Sequence, residues 1–254
     1  MITISAHNWR VDGIAGVLFD KDGTLIDSHV YWGRIIERRS TSIINYYNLS
    51  KNIFYDLCLS MGYCLSDKTL RPEGPIALVS REEVIEVVIE FLHTHSIAAS
   101  AEEISDLFTK EHEAFLNEIF QYIQILPGVR DLLLQLKQRG IKTAVVTTDT
   151  VRNTDQILRY LEIDNLFDAV VGRESTKEPK ATGVPAIAAL EILNLRADQV
   201  VCIGDAPMDL IMALNGNLKA GIGVATGQIT DDTLLNYSPY NVVSMQHLKI
   251  HSST

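Results

Sequence analysis

Cysteine is scarce in this chain: only Cys58, Cys64 and Cys202 are present. Three thiols at irregular spacing build neither a disulfide framework nor a zinc site, and they read as small apolar packers in a protein of the reducing cytoplasm. Basic residues are also in deficit. There are 22 Lys and Arg against 32 Asp and Glu, a formal net charge of −10. That balance argues against non-specific nucleic-acid binding and against docking on anionic membranes. It also means that an anionic ligand must be drawn in by local positive features. Long apolar runs are missing, and none reaches the ~20 residues that span a bilayer. Met1 to Asn8 lacks a basic segment followed by an apolar one, so no secretory leader is expected. Internal repeats and low-complexity stretches are missing too. What remains is 254 residues with 46% hydrophobic content, enough for one large domain or a core plus an insert.

The hydrophobic rhythm changes along the chain. Residues 14–20 read as a first buried strand, an apolar run from Ile14 that ends in Phe19-Asp20. From Tyr31 to about Gln121 helical periodicity replaces it. Ile35, Ile36, Ile43 and Ile44 space one apolar face, and Val84, Val87, Val88, Phe91 and Leu92 space a second. Ile104, Leu107, Phe108, Phe115, Leu116 and Ile119 space a third. Ser100 with Glu103 predicts a capping box, and Ser66 to Pro75 reads as a loop.

After Leu126-Pro127-Gly128 strands and helices alternate. The pattern predicts helices over 129–139, 154–161, 185–195 and 210–215, and strands over 142–147, 167–171, 200–204 and 220–224, with a last strand at Val242-Val243. Such alternation predicts an α/β fold, a doubly wound, Rossmann-like parallel sheet covered on both faces. The expected division is a core of residues 1–28 and 123–254 with an inserted α-helical domain of residues 29–122.

Chemistry-bearing residues gather at the predicted strand ends. Asp20 and Asp22 stand two apart where the first strand runs into Gly23-Thr24. Thr147 and Thr148 end the 142–147 strand, and Lys177 and Lys180 follow the 167–171 strand. Asp205 ends the 200–204 strand, with Asp209 four residues on. In an open parallel sheet the ligand crevice lies beyond the C-terminal strand ends, so four carboxylates, a hydroxyl and an ammonium can share one crevice. Paired acids beside each other are costly to bury unless a cation or a reaction justifies them. The set suits phosphoryl transfer through an aspartyl-phosphate, with Mg²⁺ held by hard oxygen ligands. Singly, each feature has a plainer reading. Asp-x-Asp-Gly is also a common turn, Gly-Asp also a strand end with a helix cap, and loop lysines are usually solvated.

Asp20-Lys21-Asp22-Gly23-Thr24, Thr147, Lys180, and Gly204-Asp205-Ala206-Pro207-Met208-Asp209 occur in the order of four motifs. By these the chain resembles the haloacid dehalogenase superfamily, specifically phosphatases of the phosphoglycolate-phosphatase type, with a helical cap after the first motif. The resemblance covers nearly the whole chain. It implies Asp20 as nucleophile and Asp22 as acid/base. It implies Thr147, Thr148 and Lys180 as phosphate ligands, and a Mg²⁺ site of Asp20, Asp205, Asp209 and the backbone carbonyl of Asp22. Two departures stand out. Thr148 replaces a frequent asparagine, and Lys180-Ala181-Thr182-Gly183 lacks the family's usual prolines. Lys180 is preferred to Lys177 because it follows Pro179 at the usual spacing before a helix.

The implied function is a Mg²⁺-dependent hydrolase of a small-molecule phosphate ester, acting as a monomer or homodimer without nucleic-acid or membrane partners. Asp22 favours an ester, whose leaving oxygen needs a proton, over a halide. His29 and Arg71 are candidate substrate contacts in the cap. Trp32 reads as a helix-packing residue, and His93 and His95 as an exposed helix end rather than a metal pair. The rival readings are a phosphotransferase or phosphosugar mutase of the same fold and, more remotely, a non-catalytic binding protein.

Overall fold

The alternation expected after Pro127 is present in the computed structural model, which describes residues 1–115 and 118–252. Leu116, assigned above to an apolar face, lies outside the described residues. In chain order the elements are β1 (Ile2–Ala6), β2 (Trp9–Ile14), β3 (Gly16–Phe19), α1 (Ser28–Tyr46), α2 (Phe54–Ser60), β4 (Tyr63–Cys64), β5 (Thr69–Leu70), α3 (Arg81–Thr94) and α4 (Ala101–Phe115). They continue with α5 (Val129–Gln138), β6 (Lys142–Val146), α6 (Val151–Tyr160), β7 (Ala169–Val171), α7 (Val184–Leu193), β8 (Val200–Gly204), α8 (Pro207–Asn215), β9 (Ala220–Val224), α9 (Asp231–Leu234), β10 (Asn241–Val242) and β11 (Lys249–Ser252). Two compact units result, Met1–Asp27 with Gln124–Thr254, and Ser28–Ile123. Among the described residues no helix is long and apolar enough to cross a membrane.

The first unit is built on a parallel sheet of strand order β10-β9-β8-β3-β6-β7 among the described residues. Its central strand β3 is buried along its whole length, as is β8, because helices cover both faces. Val17, Leu18 and Phe19 are fully buried. Burying each such side chain stabilises by about 1.5–3 kcal/mol, and this fixes where the chain leaves the sheet. Leu18 pairs with Ala144 of β6 on one side and Cys202 of β8 on the other. The strand order reverses about β3, so the carboxyl ends of β3, β6 and β8 meet at a topological switch point.

A second, antiparallel sheet of order β11-β1-β2 was not legible in the sequence. β11 buries only Ile250, so it shows no period-two signal, and its partner β1 lies at the opposite end of the chain. The first core strand accordingly begins at Gly16 instead of residue 14. Gly13, at φ +69°, breaks the run before it, and Ile14 ends β2. Helix starts also move. α6 begins at Val151, because Thr150 caps it by accepting from Asn153 N at 3.1 Å. α8 begins at Pro207, whose fixed φ suits a first helical position. Asp209 therefore sits in the first turn of α8.

The second unit is helical around a core that includes Ile36, Ile43, Val84, Val88, Leu92, Ile104 and Phe108. The expected faces of α1 and α3 point into it, with Val87 and Phe91 only partly buried. Ser100 and Glu103 form the expected reciprocal cap at 2.9 and 3.2 Å. The segment Ser66–Pro75 is not all loop, since β5 pairs antiparallel with β4. The three cysteines are free and buried.

Candidate active site

Asp20 follows directly on β3, and its backbone N–H extends the ladder by donating to Ile203 O at 2.9 Å. This register places its carboxylate beside the end of β8, where Asp205 and Asp209 enter. Asp20, Asp205 and Asp209 each offer an oxygen within 4.8 Å of the others, and all three residues are buried. Lys180 lies among them. Its Nζ donates to Asp20 Oδ1 at 2.5 Å and stands 2.5 Å from Asp209 Oδ1. Lys177, three residues earlier, is exposed on the rim.

The electrostatics follow from this crowding. Burial, with Asp209 nearby, pushes the Asp20 carboxyl above the ordinary aspartate range despite Lys180. Burial and the charges of Asp20 and Asp209 push Asp205 well above it. Burial alone would lower the Lys180 ammonium, but Asp20 and Asp209 outweigh it and hold its pKa above that of free lysine. One ammonium thus faces three buried carboxylates, which leaves the cluster short of positive charge.

Asp205 and Asp209 are held by different partners. Thr24 Oγ1 donates to Asp205 Oδ1 at 3.0 Å. Asp209 Oδ2 accepts from Ala206 N at 3.0 Å, so this side chain also closes the first turn of α8. The cap of that helix is Ala206 and not Asp205, which leaves the Asp205 carboxylate to the cluster. Two glycines make room for it. Gly23 has φ +83°, and a Cβ there or on Gly227 would overlap the Asp205 carboxylate. Gly227 gave no signal in the sequence, because a lone glycine after a strand is unremarkable until its neighbour is known.

Asp22 stands apart from the cluster. Its side chain is a quarter exposed, and it accepts from Lys21 Nζ at 2.8 Å. Burial raises its pKa above the ordinary value, against the pull of Lys21. Thr147 leaves the end of β6 buried, with its backbone N–H donating to Val171 O at 3.0 Å. Thr147, Thr148 and Lys180 line one cavity of about 410 Å³, with Thr148 on its exposed side. A larger cavity of about 570 Å³ belongs to the helical unit, but its Arg34 and Arg38 are already paired with Glu37, Glu111 and Glu118.

His29 and Arg71 belong to the helical unit. His29 Nδ1 accepts from Leu70 N at 2.9 Å, and Arg71 follows Leu70, its Nε donating to Glu73 at 3.3 Å. The two candidates therefore share one corner of that unit. Trp32 packs edge-on to Tyr31 and against the helical core, as a packing residue does. His93 and His95 are exposed at the end of α3.

Known proteins resemble this chain in sequence and in fold. A phosphoglycolate phosphatase of Aquifex aeolicus is 26% identical over 227 residues, covering 86% of this chain and 91% of its own. A pyrophosphatase PpaX of Bacillus mycoides is 25% identical over 203 residues, covering 80% of each chain. The crystal structure of a predicted phosphoglycolate phosphatase from Haemophilus somnus superposes with a TM-score of 0.69 at 19% identity, over 92% of this chain and 96% of that one. Residues 14–217 match the haloacid dehalogenase-like hydrolase family. That match takes in both units and every residue of the acidic cluster, and the chain belongs to the haloacid dehalogenase-like hydrolases.

Proposed function

We propose that this protein is a Mg²⁺-dependent phosphatase that cleaves a small phosphate ester through an aspartyl-phosphate on Asp20. The observation that carries this reading is the position of Lys180, 2.5 Å from both Asp20 and Asp209, with Asp205 completing the acidic cluster. Phosphatase names among the relatives support it. An oxygen-only, buried donor set with excess negative charge fits a hard divalent cation. Asp20, Asp205 and Asp209 would hold it, and when bound it supplies positive charge to the cluster and to phosphoryl oxygens.

The side chains divide the chemistry. An Asp20 oxygen attacks phosphorus as the bond to the leaving oxygen breaks, and Asp22 gives that oxygen a proton. Water then attacks the same phosphorus, Asp22 takes its proton, and the bond to Asp20 breaks to release inorganic phosphate. Lys180 and Thr147 hold the phosphoryl oxygens through both steps.

The test is a phosphate-release screen with Mg²⁺ across sugar phosphates, phosphoglycolate, nucleoside monophosphates and pyrophosphate. At least one substrate should release phosphate in step with its own loss, which hydrolysis requires and transfer to a second sugar does not. EDTA should bring release to background and added Mg²⁺ should restore it. A purified protein inert to the whole panel would sink the reading. Gly227→Ala should raise the Mg²⁺ needed for half-maximal rate at least about tenfold, because the new Cβ displaces Asp205. An unchanged Mg²⁺ titration would remove Asp205 from the metal site.

A further inference from the structure

Lys21 is the second buried lysine of the α/β unit, and the mechanism above gives it no role. Its side chain is only 2% exposed. A lysine is rarely buried without partners that hold its charge. Two of its partners are carboxylates: Asp22 Oδ1 at 2.8 Å and Asp149 Oδ2 at 3.1 Å. Asp149 is itself anchored on several sides. Asn153 Nδ2 donates to its Oδ2 at 2.5 Å, and Thr150 N donates to its Oδ1 at 2.7 Å. Its own N–H donates to Thr147 Oγ1 at 3.1 Å. A chain of bonds thus runs from the start of α6, through Asp149 and Lys21, to Asp22.

We infer that Lys21 and Asp149 form a positioning pair for Asp22. Lys21 occupies Oδ1 of that carboxylate, which assigns the proton transfers to Oδ2. Asp149 fixes Lys21 to the same turn that carries Thr147, so proton donor and phosphate site keep one geometry. The inference rests on the function proposed above. It adds that Asp22 works only when held from behind. If the bridge merely tied two loops together, its loss would slow every step alike.

The step that needs no proton separates the two cases. Dinitrophenolate leaves phosphorus without protonation, whereas an alkoxide does not, and attack by water needs Asp22 whatever the leaving group. The experiment is rapid-mixing kinetics with 2,4-dinitrophenyl phosphate and with an alkyl phosphate that the wild type hydrolyses. For Lys21→Met, the first turnover of the dinitrophenyl ester should stay within about threefold of wild type, while steady turnover falls about 10²-fold, the cost of a displaced catalytic group. A burst of one dinitrophenolate per active site then appears. With the alkyl ester the first turnover itself falls about 10²-fold, and no burst appears. Asp149→Asn, which keeps its size, should move the same rates in the same direction and serves if Lys21→Met does not fold. The double variant should be no slower than the worse single one, because the two residues act as a unit.

First turnover and steady turnover falling together, or neither falling, overturns the pair. A wild type that hydrolyses neither ester, or that keeps its turnover after Asp20→Asn, overturns the underlying function and this inference with it. Turnover lost on Asp20→Asn but indifferent to Lys21→Met overturns the pair alone.

Discussion

Asp20→Asn should lower phosphate release at least about 10⁴-fold while the protein stays folded. Asparagine fills the same space, but its amide is no nucleophile at phosphorus and carries no charge. The fold tolerates the change because the cluster holds more acid than base. Burial and Asp209 already hold the Asp20 carboxyl above its ordinary range, so removing that charge relieves a repulsion while it loosens one ion pair. Lys180 keeps Asp209 as a partner at 2.5 Å. Phosphate assays beside circular-dichroism melts check both halves. Substantial residual turnover, or a melt that collapses, would each contradict the assignment of Asp20 as a nucleophile set in a preformed site.

Much of this was readable in the sequence, for a physical reason. A parallel strand buried on both faces is written as a largely apolar run, so β3, β8 and the Ala144–Val146 end of β6 announce themselves, and with them the residues at their ends. Position in the switch-point crevice then follows from topology. Other features depend on contacts between distant residues. The sheet of β1, β2 and β11 joins the two ends of the chain through a strand with one apolar side chain. Lys21 stood in the first motif without a role of its own, because Asp149 lies far along the sequence and was not singled out. Lys177 and Lys180 share one polar segment, and composition cannot tell which faces inward. Burial tells them apart: Lys180 lies within the acidic cluster, and Lys177 is exposed on the cavity rim. His29 and Arg71 lie at one corner of the helical unit, where no motif labels them.

Lys180→Met should have the second large effect, on stability as well as on rate. Methionine matches the length of the lysine stem, so the packing survives and only the ammonium is lost. Asp20, Asp205 and Asp209 then face one another without Lys180 between them. Removing one partner from a buried ion pair typically costs about 3–5 kcal/mol, because the other charge stays behind desolvated. Lys180 serves two carboxylates, so the loss in urea unfolding should reach that range when Mg²⁺ is absent. Added Mg²⁺ should narrow the gap, since a cation that binds only the folded cluster stabilises it in proportion to the logarithm of its concentration. Turnover should stay at least about 10³-fold down even at saturating Mg²⁺, because the phosphoryl oxygens have lost a fixed positive partner. Lys177→Ala is the control, with turnover within about threefold and stability within about 0.5 kcal/mol of wild type, as for an exposed side chain. The opposite ranking of the two lysines would move the phosphate site to the rim of the cavity. A Lys180→Met protein as stable as wild type without Mg²⁺ would mean that its carboxylates are held neutral, and that the cluster is not built around a cation.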